Sequence, residues 1–475
     1  MVMRYRALFA LLLPLLLFPL WAGAAEYFVR DGSQCANNGN GSSPSCAVGS
    51  GQAGALRNVS GFLGATFSAG DTVYICDTIL LASSFQPAAT AESGSAGNPI
   101  IIDGNCPVGD GTYRAGAFDA QGAQNYAFRV TTSGPSYWTL RNLTFKNAAN
   151  DCMDFDLSTS TGWTLEAITI EDCAIDGLDV NDLADSGISV DGVYVYRAAG
   201  TAIACTSTTG GLWQNLYVYD SGTAGEEANN DGLALNDGCG DGKTITDVWV
   251  YRQKSDLGAG IDLQDSSGTG TVTLRKAYIE GGDGAGYTSV CNAGTQTFDV
   301  STVIVNGARL NVYLKDCGGL HKLTNFTTYG GRTVELKLGD GGTSGDALTA
   351  IVKNSSFGGA SCVGQAVQYR DNASVTITTD NNQYCPGGEF SMTAAGTKTF
   401  TEWQTAASQD ANSIEADPLF LGGPNPTTAE GFRPAADSPL CRAGTPVLAG
   451  VTKSGRRLGS TPDIGAVACR NTVAP

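Results

Sequence analysis

The chain is poor in histidine, in positive charge and in helical pattern. Its 475 residues include one histidine, His321. A Ser-His-Asp triad and a histidine-ligated metal centre both need this residue placed for chemistry, so both are disfavoured. Lysine and arginine total 28 against 46 aspartates and glutamates. Phosphate binding needs a basic face, so nucleic acid is excluded as a partner. No C-x-x-C occurs, which weakens a metal-site reading of the cysteines. After the first twenty or so residues no long apolar run recurs, so no membrane span is expected in the mature chain. Helix-forming runs are few, while glycine is abundant, with 63 residues. That composition suits short strands joined by tight corners.

The N-terminus reads as a secretion signal over residues 1–24. Arg4 and Arg6 precede an apolar stretch from Ala7 to Leu20, and Ala22-Gly23-Ala24 is an A-x-A cleavage site. Losing Arg4 and Arg6 leaves 26 basic against 46 acidic residues, net −20. Such acidity keeps an exported protein soluble and also suits carboxylate ligation of calcium. All 14 cysteines follow the signal. They fall into neighbouring couples: 35/46, 76/106, 152/173, 205/239, 291/317, 362/385 and 441/469. An oxidising destination, secreted or periplasmic, and sequential disulfides are expected.

What the chain has most plainly is a repeat. Strand-like phrases begin at Leu140, Leu165, Val190, Trp213, Ile245, Leu274, Val300, Leu323 and Val352, with steps of 25, 25, 23, 32, 29, 26, 23 and 29. The phrases run from LRNLTF to VKNSSF and are read as alternating apolar and polar residues, a strand period. Units this short cannot bury a core alone, so they must stack. The expected fold is all-β: a single parallel β-helix with N- and C-terminal caps. Residues 25–130 form the N-terminal cap and first coils, 131–390 the regular helix, and 391–475 a loop-rich cap over the open end.

A second strand follows each phrase. Aligning these strands puts Asp156, Asp179, Asp262 and Glu335 on one exterior face. That face is either simply solvated or a seat for a cation or sugar, because stacked carboxylates repel. Asp154, Asp156, Asp176, Asp179 and Asp182 could alternatively supply a hydrolase acid/base pair, although Gly-His-Gly and Arg-Ile-Lys motifs are absent. The 32-residue step carries Glu226-Glu227-Ala228-Asn229-Asn230-Asp231-Gly232, an enlarged loop of the kind that bears function on regular scaffolds.

Three stretches, Tyr27–Gly32, Gly70–Ile75 and Tyr137–Leu143, together with the C-terminal Asp417–Phe420 and Pro462–Ala466, resemble exported right-handed parallel β-helix proteins of the pectate-lyase-like superfamily, and the resemblance implies that hand for this chain. Within it, Asn230-Asp231-Gly232 followed by Ser255-Asp256 and Asp262-Leu263 is similar to the calcium coils of family-nine pectate lyases. The resemblance implies Asp231, Asp256 and Asp262 as calcium ligands. It departs from the family where a doubled aspartate is single. It also implies a lysine base for β-elimination on an acidic, uronic-acid polysaccharide. Lys315, in Asn311–Gly319, stands closest to the family's phrase, with Lys337 as the lesser candidate. The alternative expectation is a non-enzymatic surface protein that binds glycan, adheres or is structural.

Overall fold

A computed structural model of the chain describes residues 24–469, apart from 88–91, 110–111, 132–133, 158, 183–187, 207–209, 224–229, 237–238, 240–241, 256, 266–268, 283, 292–294, 316, 340–346, 371–373 and 445–463. The signal segment up to residue 23 lies outside them. The chain winds into a right-handed parallel β-helix with about 12 turns. Among the described residues one long sheet has 21 strands and a second has 12.

The repeat is a true register. Leu140 pairs with Leu165, and the column continues through Val190, Trp213, Ile245, Leu274, Val300, Leu323 and Val352. The phrases are not simple strands, however. The third residue of every one has positive φ: Asn142, Ala167, Gly192, Asn215, Asp247, Lys276, Thr302, Asn325 and Asn354. Each phrase is therefore strand, corner, strand, and its inward residues are the first, fourth and sixth, as in Leu165, Ile168 and Ile170. One left-handed residue turns the chain and slips the alternation by one place. Asparagine adopts this conformation more readily than most residues. Here it also crosslinks coils: Asn142 donates to Asp103 at 2.9 Å and Asn215 to Asp191 at 2.7 Å.

Two short helices close the core. Helix α1 (Asn58–Leu63) places Phe62 against Phe67, Phe85 and Trp138 at the N-terminal end. Helix α2 (Phe400–Ala407) starts at a capping box of Thr399 and Glu402 and buries Phe400 and Trp403 against Tyr384 and Phe390. Helix α2 lies within the 391–475 segment expected to cover the open end. Residues downstream of it run back along the outside of the long sheet, where Phe420, Phe432, Leu440 and Ile464 pack on Tyr278 and Ile304. The apolar residues at those outward positions require such a cover.

Six disulfides join the expected neighbours, 35–46, 76–106, 152–173, 205–239, 362–385 and 441–469. The first and last lie within the terminal segments and the other four brace coils. The Cys291/Cys317 couple falls outside the described side chains. No described helix is long and apolar enough to cross a membrane.

Candidate functional site

The outward face of the second sheet is set by strand register. One column runs Asp154, Asp179, Ala204, Ala234, Asp262, Thr288, Tyr313, Lys337. Of the acids expected on this outward face, Asp156 lies on it but off this column, and Glu335 does not belong there. Asp156 pairs with Asn181, one outward position along, and Asp154 takes its place opposite Asp179. Glu335 points inward and is 1% exposed; it accepts from Asn311 Nδ2 and from the Gly331 N–H at 2.9 Å. Its outward neighbour is Lys337. A middle residue between two apolar ones identifies the outward side only where strand and corner boundaries are known, and around Glu335 they are shifted by one.

Asp231 sits just before its strand, almost fully buried. It belongs to a run of side chains that each bond the next coil. Asp151 Oδ1 accepts from the Asp176 N–H at 3.0 Å, Asp176 Oδ1 from Thr201 at 2.6 Å, and Thr201 Oγ1 from Asp231 at 3.2 Å. Asp231 Oδ1 then accepts from the Ala259 N–H at 2.5 Å. Asp262, three residues beyond Ala259, is half-buried at its edge, but its Oδ1 is enclosed and has no hydrogen-bond partner. Lys315 lies two residues past Tyr313. Its backbone N–H bonds Ser289 O at 2.9 Å, and its side chain is half-buried with Nζ 5.4 Å from the Tyr313 ring. Lys337 Nζ approaches the same ring at 4.0 Å.

The electrostatics tie these groups together. Burial pushes the Asp262 carboxyl up to about 6, and Lys315 pulls it back down. Burial, then the Asp262 charge, pushes Asp231 well above the usual carboxylate range, again opposed by Lys315. Asp231 and Asp262 belong to adjacent coils, and Lys315 lies two coils beyond Asp262, with the Thr288 coil between them. Asp256 lies outside the described residues, as do Glu226 and Glu227. Among the described residues, no group of three or more His, Cys, Asp or Glu side chains is arranged to hold a metal ion. The two carboxylates present are hard oxygen donors, and the orphaned Asp262 oxygen is the kind of group a calcium ion would satisfy. His321 takes no part. It is fully buried against Phe298, with Nδ1 2.7 Å from Ser289 Oγ, and burial holds its pKa down to about 3.

Further toward the N-terminus the acids considered for hydrolysis gather around Asp154 and Asp179. Arg129 contacts Asp154 at 2.8 Å. Burial pushes Asp154 and Asp176 up to about 6. Burial, followed by the charges of Asp176, Asp151 and Asp154, pushes Asp179 up to about 7. The side chain of Asp182 is outside the described set. A raised folded pKa favours the protonated form, so this stabilising contribution is complete below the ordinary value of 3.8 and is lost as pH rises through about 7. Asp179→Asn mimics the protonated form. It is expected to raise the melting temperature by a few degrees at pH 8 and to change it little at pH 4, on the order of 1 kcal/mol. Thermal melts across that range check this, and an equal shift at both ends rejects it.

No protein-family model matches the chain, and no curated protein matches it. Solved structures that resemble it include a pectate lyase, Pel9A, at 15% identity and TM-score 0.47, covering 94% of this chain and 98% of that one. The complex of XylC with xylose matches at 8% identity and TM-score 0.48, covering 83% and 87%. A GH136 lacto-N-biosidase from Eubacterium ramulus matches at 9% and 0.23, covering 76% and 64%. The fold assignment rests on the strand registers, and no chemistry is transferred from these likenesses.

Proposed function

We propose that this protein is an exported, carbohydrate-active β-helix that cleaves an acidic polysaccharide by β-elimination on the outer face of its second sheet. The observation that carries the reading is geometric: Asp262 lies one coil beyond Asp231 with an enclosed, unpartnered Oδ1, and Lys315, 84 positions from Asp231, lies two coils further along the same face. Asp231 and Asp262, with Asp256, would hold calcium. When bound, the ion would neutralise a uronate carboxylate and acidify the adjacent C–H. Lys315, as the neutral amine, takes the C5 proton; that C–H pair forms the C4–C5 double bond, the C4–O bond breaks, and the leaving sugar oxygen keeps its pair and takes a proton from water. Tyr313, partly exposed between the buried Thr288 and Lys337 on the column, offers a ring for sugar contact.

A second reading has its own support. Asp231 already serves the interstrand bonding run that begins at Asp151, a role that needs no ligand. In that reading the protein binds glycan without cleaving it.

The decisive assay incubates the protein with polygalacturonate or alginate, with calcium or with chelator, and follows ultraviolet absorbance of the unsaturated product. The lyase reading expects calcium-dependent product on at least one substrate and a higher melting temperature with calcium. Absence of both leaves the second reading in place.

A further inference from the structure

The outer face of the long sheet carries a feature that the proposed chemistry does not use. The fifth and seventh residues of three successive phrases are aromatic: Tyr194 and Tyr196, Tyr217 and Tyr219, Trp249 and Tyr251. Tyr194 and Tyr217 are 4.7 Å apart between ring centroids and inclined by 5°. Tyr217 and Trp249 follow at 6.5 Å and 6°. Tyr219 and Tyr251 are 6.5 Å apart, and Trp249 and Tyr251 are 6.1 Å apart within one strand. All six rings are partly exposed, Tyr219 at 37%.

The stripe begins where the chain's own covering ends. On the next coil Tyr278 is 2% exposed beneath the C-terminal segment, and its hydroxyl bonds Glu280 and the Thr427 carbonyl. Trp249 and Tyr251 form the border, packed in part against that segment. Beyond it no described residue covers the same surface. The hydroxyls of the five tyrosines and the Trp249 indole N–H bond no described residue. These donors line an otherwise apolar, partly exposed strip.

Charge selects the occupant. Nearby cations are engaged by acids: Arg197 by Asp172, and Arg252 and Lys254 by Asp220. The fifth-position column is flanked by the uncharged Thr169 and Tyr278, while the seventh-position column is bounded by Glu171 and Glu280, acids that would repel an anionic chain. A second copy of this chain would bring two strongly acidic molecules together at that face. A linear, uncharged polysaccharide fits better. It repeats, as the stripe does at about 4.8 Å per coil, and it presents C–H faces to rings and hydroxyls to phenol O–H groups. We infer that Tyr194, Tyr217, Trp249 and their seventh-position neighbours form a docking strip for a neutral linear polysaccharide. This strip lies on a different sheet from Asp262 and Lys315 and does not depend on the lyase reading.

The test is native electrophoresis of the full protein in gels containing xylan, mixed-linkage β-glucan or galactomannan, with a polygalacturonate gel as the charged arm. Acrylamide quenching adds a local readout, because Trp138, Trp163, Trp213 and Trp403 are all 1% exposed or less and Trp249 is not. Retardation in at least one neutral gel and protection of Trp249 by that polysaccharide are expected. The double variant Tyr217→Ala with Trp249→Ala should weaken retardation about tenfold or more, while Lys315→Ala retains it. Four results overturn the inference: no retardation in any neutral gel; retardation in polygalacturonate alone; a doubled mass in light scattering that the double variant abolishes; or a large fall in the melting temperature of that variant without glycan, which would mean the chain itself already covers the strip.

Discussion

Lys315→Ala is expected to slow elimination on an acidic glycan by roughly 10²–10⁴-fold while the fold survives. The contrast follows from what each part of the residue does. The backbone N–H that bonds Ser289 is kept by alanine. The side chain lost is half-buried and lies beside Tyr313, on the same face as Asp262. Removing it takes away a proton acceptor without opening the core, so the melting temperature should move little. Lys337→Ala is the control, because its ammonium shares the Tyr313 ring from the next coil. Initial rates of unsaturated product should be nearly unchanged in that variant. If Lys337 proves essential and Lys315 dispensable, the base belongs one coil further on. In the non-catalytic reading neither substitution has a rate to alter.

Asp410→Ala should cost about 3–5 kcal/mol and loosen the C-terminal third of the molecule first. Asp410 is 1% exposed and collects donors from five side chains. Thr379 and Ser413 each reach it at 2.6 Å, the Trp403 indole at 2.9 Å, and Asn382 at 3.2 Å. The Tyr384 hydroxyl lies at 3.1 Å and 3.2 Å from its two oxygens. These groups come from the last coils, from α2 and from the start of the returning segment. Alanine leaves several buried donors unsatisfied at once, and each such loss costs on the order of 1–3 kcal/mol. Limited proteolysis should show early cleavage beyond residue 390, followed by a lowered melting temperature. Asp410→Asn keeps one acceptor oxygen and should fall between wild type and alanine. A shift under about 1 kcal/mol would show that the hub is not what anchors the cap.

Much of this architecture was legible in the chain before any coordinates. The phrase starts gave the register column residue for residue, and the cysteine couples gave six of the bonded pairs. Other features were hidden for physical reasons. A corner residue in the left-handed conformation has no single sequence signature, since Asn, Asp, Gly, Lys, Thr and Ala all fill it here. Its presence looked like imperfect alternation. That one-residue slip also explains why Glu335 was placed outside when it faces in. Helix α2 was missed because it is only two turns long, although Thr399 and Glu402 spell its capping box. At the candidate site, Asp231, Asp262 and Lys315 came from resemblance, and their mutual electrostatic influence needed the fold. The aromatic strip was present in VYVY, LYVY and VWVY. It became visible only when the corner showed which of those rings point outward.

The spacing of the disulfides has a consequence for how the molecule is made. Each described bridge closes a loop of between 11 and 34 residues. None waits for a distant part of the chain. A coil can therefore be oxidised correctly as soon as it and its immediate successor have emerged, while everything downstream is still unmade. Assembly can advance from the N-terminus like a rope being coiled on a deck, each turn fastened before the next is laid. Scrambled pairings would then arise chiefly when the whole chain is reduced, unfolded and asked to start from all positions together.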